Sequence, residues 1–288
     1  MFECVLRYGS GSAGPSSLPA SSRKHDIVII SHQHAFIFMH SRKTAGSSIA
    51  ALLNRHLGPR DIQIGAWPEA IAHGGAYNRA AVRAAFSAPR NLITASVRQA
   101  LKSGRVRLHP EAVNSIIKKM YADRHGLHLA AHETAQHVQG FVPDAWRRYY
   151  KFCFVRNPWT HVVSDYYWRM NVRGNPDISF REFVLRLDDP ARPDPEKIRP
   201  AFISNWEIYT INDEIAVDHV ARFENLAEEL SDIGAKIGIP LDISSIHAKG
   251  GIRNRKKDVA AHFDPELVDI VGRLYAREVQ AFGYQPPF

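Results

Sequence analysis

The sequence predicts an α/β fold built around a mostly parallel sheet. Two observations carry that reading. Short apolar runs of strand length recur as IVII (27–30), AFIFM (35–39) and KFCFV (151–155). Segments with apolar residues at helical spacing follow them, in 45–57 and again in THVVSDYYWRM. With 288 residues, 45% of them hydrophobic, the chain has material for one substantial core, so a single large domain with an insertion is expected.

Taken in order, residues 1–25 hold too few large apolar side chains to offset the entropy of ordering and read as a flexible tail, with the fold starting near Asp26. IVII and AFIFM are strands separated by the polar SHQH. Ile49, Leu52, Leu53 and Leu57 then keep helical spacing up to the stop at Gly58 and Pro59. From Arg60 onward, Gly, Pro and basic residues are mixed, and only EAVNSIIKKMYADR (111–124) is partly periodic. This stretch, 60–127, reads as a variable helical insertion. KFCFV returns as a strand, followed by Asn157-Pro158 and a helix. ISFREFVLRL (178–187) and ENLAEELSDIGAKIG (224–238) are expected as helices, with IAVDHVARF (215–223) as a strand. The closing DPELVDIVGRLYAREVQAFGY carries a start signal at Asp264-Pro265 and a clear apolar stripe.

The formal charge of +8 favours anionic partners, among them nucleic acids, nucleotides, acidic lipids and acidic sugars. The basic residues are dispersed and no recognition motif is visible, so nucleic acid is not expected. Two cysteines, Cys4 and Cys153, make neither a disulfide framework nor a zinc site, and a reducing, cytoplasmic setting is expected. No HExxH or similar cluster appears among the fifteen histidines, and no metal is expected. No apolar run reaches the ~20 residues of a membrane span, so stable membrane insertion is not expected either. The oligomeric state is not legible.

Two strand-to-helix turns carry chemistry. In SRKTAGSS, Arg42, Lys43, Thr44, Gly46, Ser47 and Ser48 stand at the mouth of a helix. Free N–H groups, the positive end of the dipole and hydroxyl donors suit a phosphate or sulfate there. The same residues also describe a well-capped helix beside a surface lysine. The nucleoside-triphosphate loop GxxxxGK[ST] is absent, since the lysine precedes Thr-Ala-Gly. In FVRNPWTHVVSDYY, Arg156 follows a strand and Ser164 comes eight residues later, nearly two turns into the helix, so a ligand touching both must lie along it. Arginine can fork onto phosphate oxygens. Taken alone, these residues are better described as an arginine paired with a carboxylate and a serine inside an amphipathic helix.

As a pair, FIFMHSRKTAGSSI and FCFVRNPWTHVVSDYY resemble the two cofactor motifs of carbohydrate-type sulfotransferases, PKTGGTS and VRNPxxRxxSxY. HETAQHVQGFVPDAWRRYYKF, RFENLAEEL and the C-terminal helix extend the likeness over most of 26–288, apart from 60–124. The resemblance implies a three-layer α/β/α fold like that of P-loop NTPases. It implies 3′-phosphoadenosine 5′-phosphosulfate (PAPS) as sulfonate donor and a carbohydrate or glycan hydroxyl as acceptor. Lys43 would contact the 5′-phosphate and bridging oxygen, with Thr44, Ala45, Gly46, Ser47 and Ser48 as donors around it. Arg156 and Ser164 would bind the 3′-phosphate. His132 of HETA is the implied base, a role open also to Glu133. The segment GGIRNRKKD (250–258) matches a basic loop that folds over the nucleotide, making Arg253, Arg255, Lys256 and Lys257 candidates; a solvated loop describes it as well. Two departures stand out. Arg42 replaces a proline, which should loosen the turn, and His161 replaces an arginine, which should weaken an ion pair on the helix surface. These departures leave room for a second reading, a nucleotide- or acidic-polymer-binding module without transfer activity. Trp67, Tyr77 and Trp206 are candidates to stack on sugars or to pack in the core.

Overall fold

A computed structural model of the chain describes residues 27–103, 108–125, 133–245 and 259–288. It opens with β1 (Val28–Ser31), β2 (Phe36–Met39), α1 (Gly46–Asn54) and β3 (Ile62–Ile64). Four helices follow: α2 (Trp67–Ala72), α3 (Arg79–Ala85), α4 (Pro89–Ser103) and α5 (Pro110–His125). Next come α6 (Ala135–Phe141), α7 (Pro143–Arg148), β4 (Tyr150–Val155), α8 (Pro158–Val172) and α9 (Phe180–Asp188). The chain closes through α10 (Trp206–Tyr209), β5 (Thr210–Ile211), β6 (Glu214–Ile215), β7 (His219–Arg222), α11 (Leu226–Ile237), α12 (Pro265–Leu274) and α13 (Ala276–Phe282).

The central sheet has the order β3-β1-β2-β4-β7. β4 pairs parallel with β2, and β7 parallel with β4. β1 is antiparallel to both of its neighbours, so it alone runs against the other four strands and the sheet is mostly parallel. Successive side chains alternate between the faces, as the pleat requires. Phe36, Phe38, Phe152 and Phe154 point to one side, where they meet Ile49, Leu52 and Leu53 of α1 and Leu230 and Ile233 of α11. Ile37, Met39, Cys153 and Val155 point to the other, against Val162 of α8, Phe183 of α9 and Leu267 and Val271 of α12. These two cores make a three-layer α/β/α arrangement, as expected.

The turn between β1 and β2 is fastened by a residue that arrives after α1. Asp61, 1% exposed, accepts from the Ser31 hydroxyl at 2.6 Å and from the backbone N–H groups of His32, Gln33 and Gly58 at 2.8, 3.1 and 2.9 Å. A buried carboxylate tolerates its site when its oxygens are filled with donors in this way.

Several elements differ from expectation. Residues 62–64, placed within the helical insertion, form the outer strand β3, with Val28 opposite Ile64. Three residues are too few to show alternation. The rest of the insertion folds around its own small core of Trp67, Ala81, Ala85, Leu92, Val113 and Ile117. Alanine fills many of its inward positions, which flattens the periodic signal of α3. IAVDHVARF splits, because Glu214–Ile215 pairs with Thr210–Ile211 in a separate hairpin and the sheet strand begins at His219. The final helix breaks at Tyr275.

Candidate active site

Adjacent strands β2 and β4 run in the same direction and send their helices to opposite faces, α1 to one core and α8 to the other. In an open sheet such a divergence leaves a crevice at the carboxyl ends of the two strands. The turns containing Lys43 and Arg156 both line it.

In the first turn, Lys43 and Ala45 both hold left-handed backbone, with φ of 62° and 61°. Left-handed residues alternating with ordinary ones turn successive N–H groups toward one point, forming a concavity suited to anions. Ala45 is the N-cap of α1 but gives no side-chain cap, and the first turn carries no acidic residue. The intrahelical donors begin at Ser48 and Ile49, both bonded to the Ala45 carbonyl, so the N–H groups of Gly46 and Ser47 precede them at the positive end of the helix. Gly46 is needed for a separate reason: a Cβ there would fall 1.5 Å from Cδ2 of the buried His40. The Thr44 hydroxyl donates inward to the Ser41 carbonyl at 2.8 Å and braces the loop.

Arg42 does not loosen this turn. Its backbone N–H donates to Asn205 Oδ1 at 3.1 Å, and its carbonyl accepts from Asn205 Nδ2 at 3.2 Å. Its guanidinium donates to the Ile203 carbonyl at 2.8 Å. Asn205 is held in turn by the buried Glu278, which accepts from the Asn205 N–H and from the Ser204 hydroxyl. Burial raises the Glu278 carboxyl, an effect those hydrogen bonds partly offset.

Across the crevice, Arg156 donates from Nη1 to the Lys43 carbonyl and from Nε to Thr160 Oγ1, each at 3.0 Å. Its guanidinium also lies 4.4 Å from the Phe223 ring centroid. Burial pushes Arg156 down to about 10, against the pull of Glu224, and it keeps its charge near neutral pH. Asn157 caps α8 by accepting from Trp159 and Thr160, and its own N–H donates to Glu224 at 2.8 Å. Thr160, Ser164 and Trp168 are spaced by four on α8 and share one face. Lys43 Nζ sits 5.1 Å from the Trp168 ring centroid. The row therefore runs from Arg156, bonded to Thr160, at one end to Lys43 over Trp168 at the other.

His161 is not on the helix surface. It is 2% exposed, packs edge-on against Tyr275 at 5.5 Å, and its Nε2 has no hydrogen-bond partner. Burial, reinforced by Arg42, pushes the imidazole well below its usual value, so it is neutral. Beside it, Asp165 accepts from Arg169 Nε at 2.8 Å. Burial alone would raise the Asp165 carboxyl, but the cationic Arg169, Arg42 and Lys43 outweigh it and hold it below the carboxylate range. The site's cationic side is thus braced by one buried carboxylate.

His132 and the basic residues Arg253, Arg255, Lys256 and Lys257 lie outside the described residues. Glu133 is buried, with Oε2 3.4 Å from His137 Nδ1. The Trp67 and Tyr77 rings pack with a 37° tilt at 5.3 Å, Trp67 being wholly buried, and Trp206 Nε1 donates to Asp213 at 3.1 Å. These aromatic rings pack rather than present a face. Among the described residues no group of three His, Cys, Asp or Glu is placed to hold a metal, and no helix is long and apolar enough to cross a membrane.

Sequence reasoning passed over Thr160, Trp168, Asn205 and Glu224. The first two were readable, because they continue the four-residue spacing through Ser164. Asn205 lies 163 residues from Arg42 and leaves no local signal.

Residues 26–285 match the family model described as "Sulfotransferase family". An uncharacterized protein of Archaeoglobus fulgidus is 34% identical over 101 residues, covering 33% of this chain and 72% of that one. The crystal structure of a sulfotransferase from Alicyclobacillus acidocaldarius overlaps 86% of this chain and 98% of its own at 17% identity, with a TM-score of 0.37, a likeness too loose to build on.

Proposed function

This chain belongs to the sulfotransferase family, and from that premise we propose that it moves the sulfonate group of 3′-phosphoadenosine 5′-phosphosulfate to a hydroxyl of a carbohydrate or glycan. One observation supports the reading above the others: Arg156 and Lys43, from two separate turns, are joined by a hydrogen bond in one crevice with an uncapped helix N-terminus at its floor. The donor set fits a ligand with phosphate at both ends. Bound there, PAPS supplies an activated sulfonate on a phosphate leaving group.

The protein's share is position and charge. The Lys43 loop and the N–H groups of Gly46 and Ser47, with the Ser47 and Ser48 hydroxyls, hold the 5′ end. Arg156 and Ser164 hold the 3′-phosphate, and Lys43 offsets the charge that builds on the departing oxygen. His132 takes the acceptor proton, with the buried Glu133 next to it as the alternative base. The acceptor side is formed by 60–127. The cytoplasmic placement suggested by the two cysteines belongs to the same proposal.

The test is sulfonate transfer from labelled donor to a panel of glycans, with calorimetric binding of 3′-phosphoadenosine 5′-phosphate measured alongside. Wild type should bind the nucleotide and label an acceptor. If Lys43→Ala and Arg156→Ala bind it as tightly as wild type, the site assignment is wrong. Tight binding without transfer to any acceptor would instead identify a binding module.

A further inference from the structure

The insertion carries an exposed apolar surface of its own. On α4, Leu92 is 1% exposed and anchors the helix in the insertion core. The opposite side shows Ile93, Val97 and Leu101 to solvent at 57%, 52% and 83% exposure. Their spacing of four makes one continuous apolar stripe along the helix. Phe86, in the connection from α3, adds a ring that is 53% exposed. Scattered exposed apolar residues are ordinary, but a stripe of this kind marks an interaction site.

The charge around the stripe says what covers it. Between Glu69 and Glu111 the sequence contains no Asp or Glu at all. Arg90 and Arg98 are exposed on α4 itself. Among the described residues neither takes part in a salt bridge, whereas many arginines elsewhere do, Arg169, Arg186 and Arg273 among them. A second copy docked symmetrically would bring these arginines against their own counterparts. A soluble polyanion would satisfy the arginines and leave the leucine, valine and isoleucine in water. An anionic bilayer satisfies both, since a basic amphipathic helix lies in the interface with its apolar face in the acyl boundary and its cations among the phosphates.

We propose that α4 is a peripheral membrane-docking helix, seated on anionic lipid through Ile93, Val97 and Leu101 with Arg90 and Arg98 at the headgroups. The insertion follows β3, the edge strand, while the reaction crevice opens between β2 and β4 further along the sheet. Vesicle binding is read without turnover, so the proposal stands or falls independently of the reaction assigned to the crevice.

The experiment is flotation of the full chain with vesicles of phosphatidylcholine alone or mixed with phosphatidylglycerol. The protein should bind the mixed vesicles and not the neutral ones. Val97→Ser/Leu101→Ser should weaken that binding by about tenfold or more, from the loss of apolar burial. Arg90→Gln/Arg98→Gln should weaken it by a similar, order of tenfold, factor and flatten its salt dependence. Both variants should keep the wild-type melting temperature and affinity for 3′-phosphoadenosine 5′-phosphate, which shows that they fold. Failure to bind anionic vesicles overturns the proposal. So does binding that ignores the serine substitutions, which would be charge attraction alone, and so does a dimer in sedimentation that Val97→Ser/Leu101→Ser dissolves while vesicles are ignored.

Discussion

The Arg156 guanidinium donates to the Lys43 carbonyl at 3.0 Å, tying the two strand-to-helix turns together across the crevice. The same side chain bonds Thr160 and stacks on Phe223, so its fork is already aimed before any ligand arrives. Arg156→Lys keeps the charge and loses the fork. Hydrogen bonds to charged groups contribute about 1.5–3 kcal/mol, so affinity for 3′-phosphoadenosine 5′-phosphate should fall by at least about tenfold. Calorimetry on Arg156→Lys checks this, and wild-type affinity in that variant would show that charge alone suffices.

Asn205 makes a different kind of brace. It bonds both the N–H and the carbonyl of Arg42, and it is 5% exposed. Asn205→Ala leaves two backbone groups unsatisfied at the base of the loop, a loss of about 2–4 kcal/mol in unfolding free energy. Urea denaturation measures that, and Asn205→Asp separates the two bonds, because a carboxylate can still accept from the Arg42 N–H but cannot donate to its carbonyl. Asn205→Asp as stable as wild type would mean that the donated bond adds little.

These two braces differ in how far the sequence announced them. The turns themselves were legible, since an apolar strand, a small-residue loop and a helix follow one another within about twenty residues at both SRKTAGSS and VRNPWTHVVS. The meeting of Lys43 with Arg156 was legible only as a resemblance of paired motifs. Asn205, Glu278 and Asp61 act through hydrogen bonds to residues far along the chain, and a single polar side chain has no periodicity to betray its partner. The insertion was obscured for another reason: α2 and α3 span only six and seven residues, α3 is mostly alanine, and β3 contributes only three residues to the sheet. His161 was misplaced because it stands where the resembled motif has a surface arginine, whereas its imidazole turns inward and packs edge-on against Tyr275.

Trp168 supports Lys43, the lysine proposed to offset the leaving-group charge, without sharing its chemistry. The Lys43 ammonium lies 5.1 Å from its ring centroid, within cation–π range. That contact is worth about 0.5–2 kcal/mol, so Trp168→Ala should reduce transfer by roughly twofold to thirtyfold. Trp168→Phe, which keeps a weaker π face, should fall between. Nucleotide affinity and kcat measured on both variants distinguish a held lysine from a lost wall: equal activity in Trp168→Ala and Trp168→Phe would remove the cation–π contact from the account.

Protonation of His161 should set part of the acid limit of the fold. Its ring faces Tyr275 of the C-terminal helices and stands near Arg42, Asp165, Arg156 and Lys43, and burial holds it neutral well below its usual value. The unfolded chain takes up a proton near pH 6.5 that the folded chain refuses, so this group's contribution is present above that pH and is lost as pH falls toward the folded value. Between pH 7 and 5.5 the loss amounts to about 1 kcal/mol for one such group. Glu278 has the opposite sign, its raised carboxyl favouring the folded state at low pH, but it is common to wild type and a His161→Gln variant and cancels between them. Urea titrations of both proteins at the two pH values should therefore show wild type losing about 1 kcal/mol more than His161→Gln. Parallel losses would mean that His161 accepts its proton in the folded state, with Asp165 as the partner that stabilises it.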